Sequence, residues 1–171
     1  MILNLREFVE FPAEALVHAG SGEISAPDDR VVAIGAVVAR VAVQKSAQEY
    51  FCQGRVTAQV TLECARCLAP FLAELSEDTD FVICSSGLAG ERGRIDQEDY
   101  LLLQGNDLTV DIVEPVRQAL TLAVPLKPLC REDCRGLCPQ CGANLNEGLC
   151  GCRTETTDPR WDGLRRLFPD K

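Results

Sequence analysis

The sequence predicts an α+β fold: an antiparallel sheet or partly closed β-barrel, one main helix, and a C-terminal cysteine-rich module. Three observations support this prediction. Residues 55–64 alternate between apolar and polar side chains, residues 112–123 carry apolar side chains at helical spacing, and six of the ten cysteines crowd into residues 130–152. A hydrophobic content of 46% over 171 residues allows a core of ordinary size to form without cross-links.

The first half of the chain predicts strands. Residues 37–43, VVARVAV, are rich in the β-branched side chains that favour strands, and residues 48–52 are expected to return antiparallel to them. In residues 55–64, RVTAQVTLEC, apolar side chains fall on one face and polar ones on the other. This period of two is typical of a half-buried strand and directs Cys64 toward the apolar side.

The sheet is expected to continue after a tight turn. The turn is ARCLAP at residues 65–70, and FLAEL at 71–75 and DFVIC at 80–84 follow it as strand segments. Residues 74–111 hold 10 acidic and 2 basic side chains. This excess of charge predicts a solvated acidic loop in that region.

The main helix is predicted within residues 107–125. Asp111 or Thr109 can cap its first turn, where the missing N–H of Pro115 costs little, and Pro125 ends it. The apolar side chains at helical spacing are Ile112, Val116, Ala119, Leu120 and Ala123.

The chain is expected to divide into an α+β domain at residues 1–126 and a zinc-binding cysteine module at 127–171. The module ends in a short helix that begins at Asp158, with Pro159 in its first turn. Residues 1–126 hold 9 basic and 19 acidic side chains, whereas residues 127–171 hold 8 and 7. Because phosphate contacts need clustered lysine and arginine, an extended nucleic-acid surface is excluded and any RNA contact must be local.

The distribution of apolar residues predicts a cytoplasmic protein with no membrane partner. Charged residues interrupt every apolar run in residues 1–20, unlike a signal peptide. The longest apolar run, VVAIGAVVA at residues 31–39, is far shorter than the ~20 residues of a membrane helix. Thiols stay reduced in the cytosol, so the cysteines are expected to serve metal binding or catalysis instead of disulfides.

The C-terminal cysteines predict a zinc site. CPQCG at residues 138–142 has the form of a zinc knuckle, with a glycine that can adopt positive φ. CGC at residues 150–152 can supply two more thiolates. The chain has one histidine, His18, so the ligands are expected to be thiolates. The leading set is Cys138, Cys141, Cys150 and Cys152.

Six thiols compete for four places, and the choice stays open at this point. Cys130 or Cys134 can replace one member of the leading set, and both lie on one face if their segment is helical. The pair Cys64 and Cys67 in CARC forms a possible second half-site, for which Cys130 and Cys134 are candidate partners. The alternatives for this pair are a core residue beside a turn residue, or a redox-sensitive dithiol.

Catalytic interpretations have weaker support. CPQC resembles the dithiol of thiol–disulfide oxidoreductases, but no predicted strand leads into it and four further cysteines surround it. The His-x-Glu motif of zinc deaminases is missing. We therefore expect a protein that is not an enzyme, with a redox protein using Cys138 and Cys141 as the rival. Cys52 and Cys84 are expected to be core or strand residues.

The C-terminal tail carries the best basic patch. Arg160, Arg165 and Arg166 are more typical of ion-pair partners on a helix, and Trp161 of a packing anchor, than of RNA contacts. A second rival function nevertheless uses them, namely a zinc module that binds RNA directly.

Three blocks together resemble the YceD family, also called the large ribosomal RNA subunit accumulation protein. They are TLECARCLAPF at residues 61–71, LAVPLKPLCREDCRGLCPQCGANLNEGLCGC at 122–152 and DPRWDGLRRL at 158–167. The resemblance implies a ribosome biogenesis factor with no known catalytic activity. Its implied partners are precursor large-subunit RNA, a ribosomal protein or an assembly factor, with no small-molecule substrate.

The resemblance also carries over to individual residues. Cys64 and Cys67 match the central cysteine pair of the family, and residues 158–161 match its closing motif. The six C-terminal cysteines match a cluster that many members carry and some lack. This implies that the metal module stabilises the protein or a contact, while function resides in the sheet and the central pair.

Overall fold

The architecture is an open five-stranded sheet covered on one face by a helix and a small two-stranded sheet. A computed structural model describes residues 1–47, 49–85, 100–103 and 108–152. The elements in chain order are β1 Ile2–Asn4, a 3-10 helix Leu5–Glu7, β2 Ala13–Ala19, β3 Val31–Ser46, β4 Glu49–Glu63, β5 Pro70–Ser85, β6 Tyr100–Leu103, β7 Thr109–Asp111 and α1 Val113–Ala123.

The large sheet has the strand order β2-β3-β4-β5-β6. Every neighbouring pair is antiparallel except β5 and β6, which run parallel. The small sheet joins β1 to β7. Within the described ranges β2 and β6 are free edges, so the sheet is open, and the expected alternative of a partly closed barrel is not supported.

Strand β4 is the centre of the sheet, and its alternating pattern is confirmed. Val56, Ala58, Val60 and Leu62 are all at most 2% exposed, and they share the core with the buried face of β3. The opposite side chains, such as that of Arg55, face solvent. The period-two pattern therefore located both faces of this strand correctly, because burial on one side alone selects it.

The strands are longer than predicted. Residues 48–52 and 55–64 were expected as separate segments, yet Glu49–Glu63 is one strand. Gly54 allows this continuity, because a Cβ at that position would lie 2.4 Å from the carbonyl oxygen of Arg40 on β3. The glycine thus marks a close approach of two strands and not a break.

The strand segments predicted at residues 71–75 and 80–84 both lie in β5, whereas the solvated loop predicted within residues 74–111 is not found in the described part of that range. Residues 74–85 belong to β5, 100–103 to β6 and 109–111 to β7, while 86–99 lie outside the described residues. Three of the four acidic residues of β5, Glu74, Asp78 and Asp80, alternate with inward side chains and lie on the solvent face of the sheet. The fourth, Glu77, is half-buried opposite Val56 on the inward side. The loop prediction relied on charge and missed this alternation.

The main helix is confirmed, with a later start. It begins at Val113 because Thr109–Asp111 pair with β1 instead of joining the helix. The N-cap is Ile112, not the predicted Asp111 or Thr109, but the Oδ1 of Asp111, one residue earlier, accepts the Val113 N–H at 3.0 Å. The predicted apolar stripe faces the sheet, where Ile112, Val116, Ala119 and Leu120 are buried and Ala123 is partly buried.

Arg30 anchors the chain where it leaves the helix. Its guanidinium donates to the carbonyl oxygens of Pro125 and Leu126 at 2.8 and 2.9 Å and forms an ion pair with Asp28. Its own carbonyl accepts the N–H of Glu63 at the end of β4. The chain after α1 is therefore held beside the end of β4, which is the direction the cysteines require.

The expectations about the C-terminal tail and about the division into domains remain outside these observations. The predicted helix at residue 158 and the basic residues near it lie in 153–171, outside the described ranges. The division into domains at residue 126 stays a prediction. Among the described residues, no helix combines the length and the apolar character needed to cross a membrane.

Replacing Gly54 by alanine is expected to destabilise the fold by about 1–3 kcal/mol, since the added Cβ must displace backbone of β3. Chemical denaturation of the full chain measures this change. Gly20→Ala is the matched control, because the nearest atom to its added Cβ is a flexible glutamate oxygen at 3.6 Å. Equal stabilities of the two variants would contradict the close approach.

Candidate metal centres

The turn after β4 carries the first cysteine cluster. Cys64 follows the last residue of β4, and Cys67 lies in the turn that leads into β5. Cys130 and Cys134 reach the same place from the segment that follows α1. The Cys64–Cys134 and Cys67–Cys130 sulfur distances are both 3.8 Å, and all four sulfurs lie within 4.8 Å of one another. We call this set the central cluster.

A second cluster lies in the C-terminal segment. The sulfurs of Cys138, Cys141, Cys150 and Cys152 also lie within 4.8 Å of one another. Cys138 is buried, Cys141 is exposed, and the other two are half-buried. We call this set the C-terminal cluster.

The two clusters explain why six thiols crowd into residues 130–152. The structure brings together the four sulfurs of the leading set and gives Cys130 and Cys134 to the pair Cys64 and Cys67. These two are therefore partners of the central pair and not alternates for the C-terminal cluster. Their segment forms a turn instead of the helix considered above, and the turn still directs both sulfurs to one point.

The first turn has a defined hydrogen-bond pattern. The Cys64 N–H donates to the carbonyl oxygen of Ala69 at 3.0 Å, and the Leu68 N–H donates to that of Cys64 at 2.9 Å. Leu68 has a φ of 58°, which is uncommon for a residue with a side chain. The pattern closes a tight knuckle that presents two thiols on one side.

The second turn repeats this pattern. The Cys138 N–H donates to Ala143 at 2.8 Å, and the Gly142 N–H donates to the carbonyl oxygen of Cys138 at 2.9 Å. Gly142 has a φ of 71°, as its place after CPQC predicted. Two knuckles of one geometry, each facing a second pair of cysteines, thus form two similar centres.

The first thiol of each knuckle is set up to ionise. Burial raises the pKa of Cys64, but N–H groups of Cys130, Cys67 and Arg66 outweigh it and lower that pKa to about 6. The N–H groups of Cys141 and Gln140 likewise lower the pKa of Cys138 to about 6. Backbone N–H groups therefore stabilise a thiolate at each knuckle, with help from the N–H of Cys130 at the first one.

Other thiols of each cluster resist ionisation. Burial, together with the neighbouring cysteines, raises the pKa of Cys130 to about 12. The neighbouring Cys141 thiol, followed by burial, raises the pKa of Cys152 to about 12. Like charges this close repel one another strongly, so four thiolates can coexist at either centre only around a cation.

The sulfur spacing fits such a cation. A tetrahedral metal ion with metal–sulfur bonds of about 2.3 Å places its ligands roughly 3.8 Å apart, which matches the Cys64–Cys134 and Cys67–Cys130 sulfur distances of the central cluster. All ten cysteines are free thiols. Both clusters can therefore each hold one metal ion through four sulfur ligands.

A small apolar core surrounds the central cluster. It consists of Ala69, Phe71, Leu129 and Leu137, packed against the buried cysteines. Cys64, Cys134 and Cys67 are 0%, 3% and 6% exposed. A metal ion here would be shielded from water on most sides.

Arg66 joins the two halves of the central cluster. Its guanidinium donates to the carbonyl oxygens of Cys134 and Glu132 at 2.8 and 3.2 Å, and its own carbonyl accepts the Leu137 N–H at 3.2 Å. The neighbouring Ala65 N–H donates to Pro128 at 2.8 Å. The sequence analysis did not single out Arg66, although its place between the two cysteines of CARC was the available signal.

The remaining candidate residues lie apart from both clusters. Cys52 and Cys84 are buried strand residues, as predicted, and burial raises the pKa of Cys52 to about 12. His18 lies on β2 and belongs to neither cluster. The tail residues Arg160, Trp161, Arg165 and Arg166 are outside the described ranges.

These features define a class of small protein with an open, mainly antiparallel sheet and two candidate structural metal centres. The central hairpin and the C-terminal segment meet at one centre, and the C-terminal segment alone forms the other. The model of the family described as "Large ribosomal RNA subunit accumulation protein YceD" matches residues 52–168. The chain therefore belongs to the YceD family, and the resemblance seen in the sequence is confirmed.

Relatives in other organisms support this assignment. An uncharacterized protein of Mycobacterium tuberculosis is 37% identical over 122 residues, covering 67% of this chain and 54% of that protein. The large ribosomal RNA subunit accumulation protein YCED homolog 1, chloroplastic, of Arabidopsis thaliana is 34% identical over 73 residues, covering 43% and 23%. Its Zea mays namesake is 28% identical over 183 residues, covering 82% and 62%.

The chain spans about half the length of the mycobacterial relatives it matches. No solved structure matches it.

Metal affinity is expected to fall steeply on acidification. The pKa values of Cys67 and Cys130 in one cluster, and of Cys150 and Cys152 in the other, are raised above that of a free thiol. At neutral pH these thiols carry protons that a metal ion must displace, at least two per centre, so affinity should drop at least roughly 100-fold per pH unit. Competition with a chelator of known pH dependence, below pH 8, measures the slope. A slope near zero would contradict thiolate ligation.

Proposed function

We propose that this protein is a non-enzymatic, cytoplasmic ribosome biogenesis factor that supports accumulation of large-subunit ribosomal RNA, with a structural zinc ion at each cluster. The observation that carries the proposal is the central cluster: in a member of the YceD family, the turn of the central hairpin and the segment after the helix meet at four clustered cysteine sulfurs, three of them from buried residues. The names of the two plant relatives supply the link to ribosomal RNA.

Zinc suits these centres better than a catalytic metal does. Zinc sites with four thiolate ligands are closed, and closed sites are structural, whereas catalytic sites keep a position for water or substrate. Each cluster offers four sulfurs and so fills a tetrahedron. The metal would hold the C-terminal segment against the β4–β5 turn and leave the chemistry of ribosome assembly to partners.

The solvent face of the sheet is the proposed working surface. On β5, Glu74, Asp78 and Asp80 are exposed, and Asp78 pairs with Arg55 of β4 at 2.7 Å. Residues 1–126 have an excess of ten negative charges. This surface suits a basic ribosomal protein better than RNA, since complementary charge accelerates such encounters and phosphate would be repelled.

A thiol–disulfide redox function is the second candidate. The low pKa of Cys138 and the exposure of Cys141 favour it, because a reactive dithiol needs an accessible thiolate. The same lowering occurs at Cys64, which is fully buried, so the knuckle geometry accounts for it without a redox role. The structural interpretation therefore has the stronger support.

Protein purified without added metal is expected to contain about two zinc ions per chain, one for each cluster. Elemental analysis measures the content, and alkylation followed by mass spectrometry shows which thiols are protected. The eight cluster cysteines should react only after a strong chelator is added. Metal-free protein with rapid alkylation at Cys138 would instead support the redox candidate.

Reversing charge on the sheet is expected to release the partner. In Glu74→Lys/Asp80→Lys protein, capture of a basic ribosomal protein from ribonuclease-treated lysate at low salt should fall at least tenfold, as like charges then face each other. Glu10→Lys/Glu23→Lys changes the net charge equally at exposed positions outside the sheet and should leave capture intact.

Large-subunit ribosomal RNA should decline in cells that carry Glu74→Lys/Asp80→Lys and not in cells that carry Glu10→Lys/Glu23→Lys. Equal capture by both variants, or capture that ribonuclease abolishes, would overturn the protein-partner version. In the latter case RNA contact through Arg165 and Arg166 becomes the version to test.

A further inference from the structure

The two clusters are adjacent in the chain and share hydrogen bonds. Three residues, 135–137, separate Cys134 of the central cluster from Cys138 of the C-terminal cluster. Asn146 lies in the loop between Cys141 and Cys150, inside the C-terminal cluster, yet its Nδ2 donates to the Cys134 sulfur at 3.3 Å. A side chain from one centre thus contacts a ligand atom of the other.

The orientation of Asn146 is set by its other contacts. Its Oδ1 accepts the N–H of Arg135 at 2.9 Å and a guanidinium N–H of Arg131 at 2.7 Å. Because a backbone N–H can only donate, the oxygen must face Arg135, which leaves Nδ2 toward the sulfur. Asn144 holds the same amide, since its Oδ1 accepts from both the backbone and the side chain of Asn146.

The loop that carries Asn146 is fastened to the link between the clusters. Leu145 donates its N–H to Gly136 at 2.9 Å, and Leu137 pairs with Asn144 in an antiparallel bridge. Gly136 has a φ of 75°, and a Cβ there would lie 2.9 Å from the carbonyl oxygen of Arg66 in the first knuckle. The link therefore lies directly against the central cluster, with glycine making the approach possible.

We propose that the two clusters form one coupled two-metal unit, in which metal at the C-terminal cluster raises the metal affinity of the central cluster through Asn146. The inference rests on the proposed metal sites. Metal at Cys138, Cys141, Cys150 and Cys152 closes the loop at both ends and so orders Asn146. The ordered N–H then stabilises the Cys134 thiolate, as groups hydrogen-bonded to metal ligands do. Asn146 is a positioning residue and not a ligand.

Coupling of this kind is reciprocal. If metal at one centre raises the metal affinity of the other centre by some factor, metal at the second centre must raise the affinity of the first by the same factor. Groups that contact metal ligands typically change affinity roughly 10- to 100-fold, so the expected coupling factor is about tenfold or more.

The test uses the reduced, metal-free full chain, titrated with cadmium as a spectroscopic stand-in for zinc. Cadmium NMR resolves the two centres, and chelator competition gives each affinity. In Cys150→Ser/Cys152→Ser protein, the central cluster should bind cadmium at least tenfold more weakly. Asn146→Asp keeps the acceptor for Arg135 and removes the N–H donor, so it should weaken the central cluster by a similar factor.

Combining Asn146→Asp with Cys150→Ser/Cys152→Ser distinguishes coupling through Asn146 from a general loss of order in the C-terminal segment. If Asn146 transmits the effect, Asn146→Asp should change the central affinity less than threefold once Cys150 and Cys152 are replaced. Gly136→Ala should weaken the coupling, whereas Gly148→Ala, whose added Cβ meets no atom within 4 Å, should not. Circular dichroism of each loaded variant verifies that the sheet remains folded.

Two failures are distinguishable. Binding at both centres with affinities that do not respond to the state of the other, or an Asn146→Asp effect of the same size in both backgrounds, would overturn the coupling and leave the two metal sites standing. Absence of cadmium from both centres of the reduced protein would overturn the proposed metal sites themselves, and the coupling with them.

Discussion

The structure depends on one constraint: four thiols from distant parts of the chain occupy a buried space in which their sulfurs lie within 4.8 Å of one another. Cys64 and Cys67 come from the end of the central hairpin, and Cys130 and Cys134 come from beyond the helix. Without a cation, burial and mutual repulsion keep several of these thiols protonated. With a cation bound, the four sulfurs would coordinate it together and so join the sheet to the C-terminal segment. The contacts of Arg66 and Arg30 direct the chain to this point.

This arrangement separates the cysteine clusters from the proposed working surface. The cysteine centres are closed by four sulfurs each and lie at one end of the sheet, whereas the acidic solvent face of β4 and β5 is left open. A family role in ribosomal RNA accumulation is compatible with a protein that binds and positions others. In that case the six cysteines of residues 130–152 stabilise the fold and do not form the surface that binds a partner.

Much of the fold could be predicted because local patterns determine it. The alternation in residues 55–64 located the faces of β4, and the helical spacing from Ile112 located the buried face of α1. The errors have physical causes as well. The charge count over residues 74–111 suggested a solvated loop, but within β5 a sheet with one solvent face tolerates charge at alternate positions. The start of α1 was placed too early because only the pairing with β1, over a hundred residues away, makes Thr109–Asp111 a strand.

The sequence by itself determined the two knuckles, since Cys-x-x-Cys followed by a tight turn is a local signal, and it determined the family through the spacing of its blocks. Only the tertiary structure decided which thiols belong together. The sulfurs of Cys64 and Cys134 meet across 70 residues, and those of Cys67 and Cys130 across 63. The sequence named Cys130 and Cys134 as candidate partners of the CARC pair but left them open as alternates for the other set, because such contacts follow from where the sheet and the helix place their ends. The same is true of Asn146, whose contact with the Cys134 sulfur depends on the positions of both knuckles.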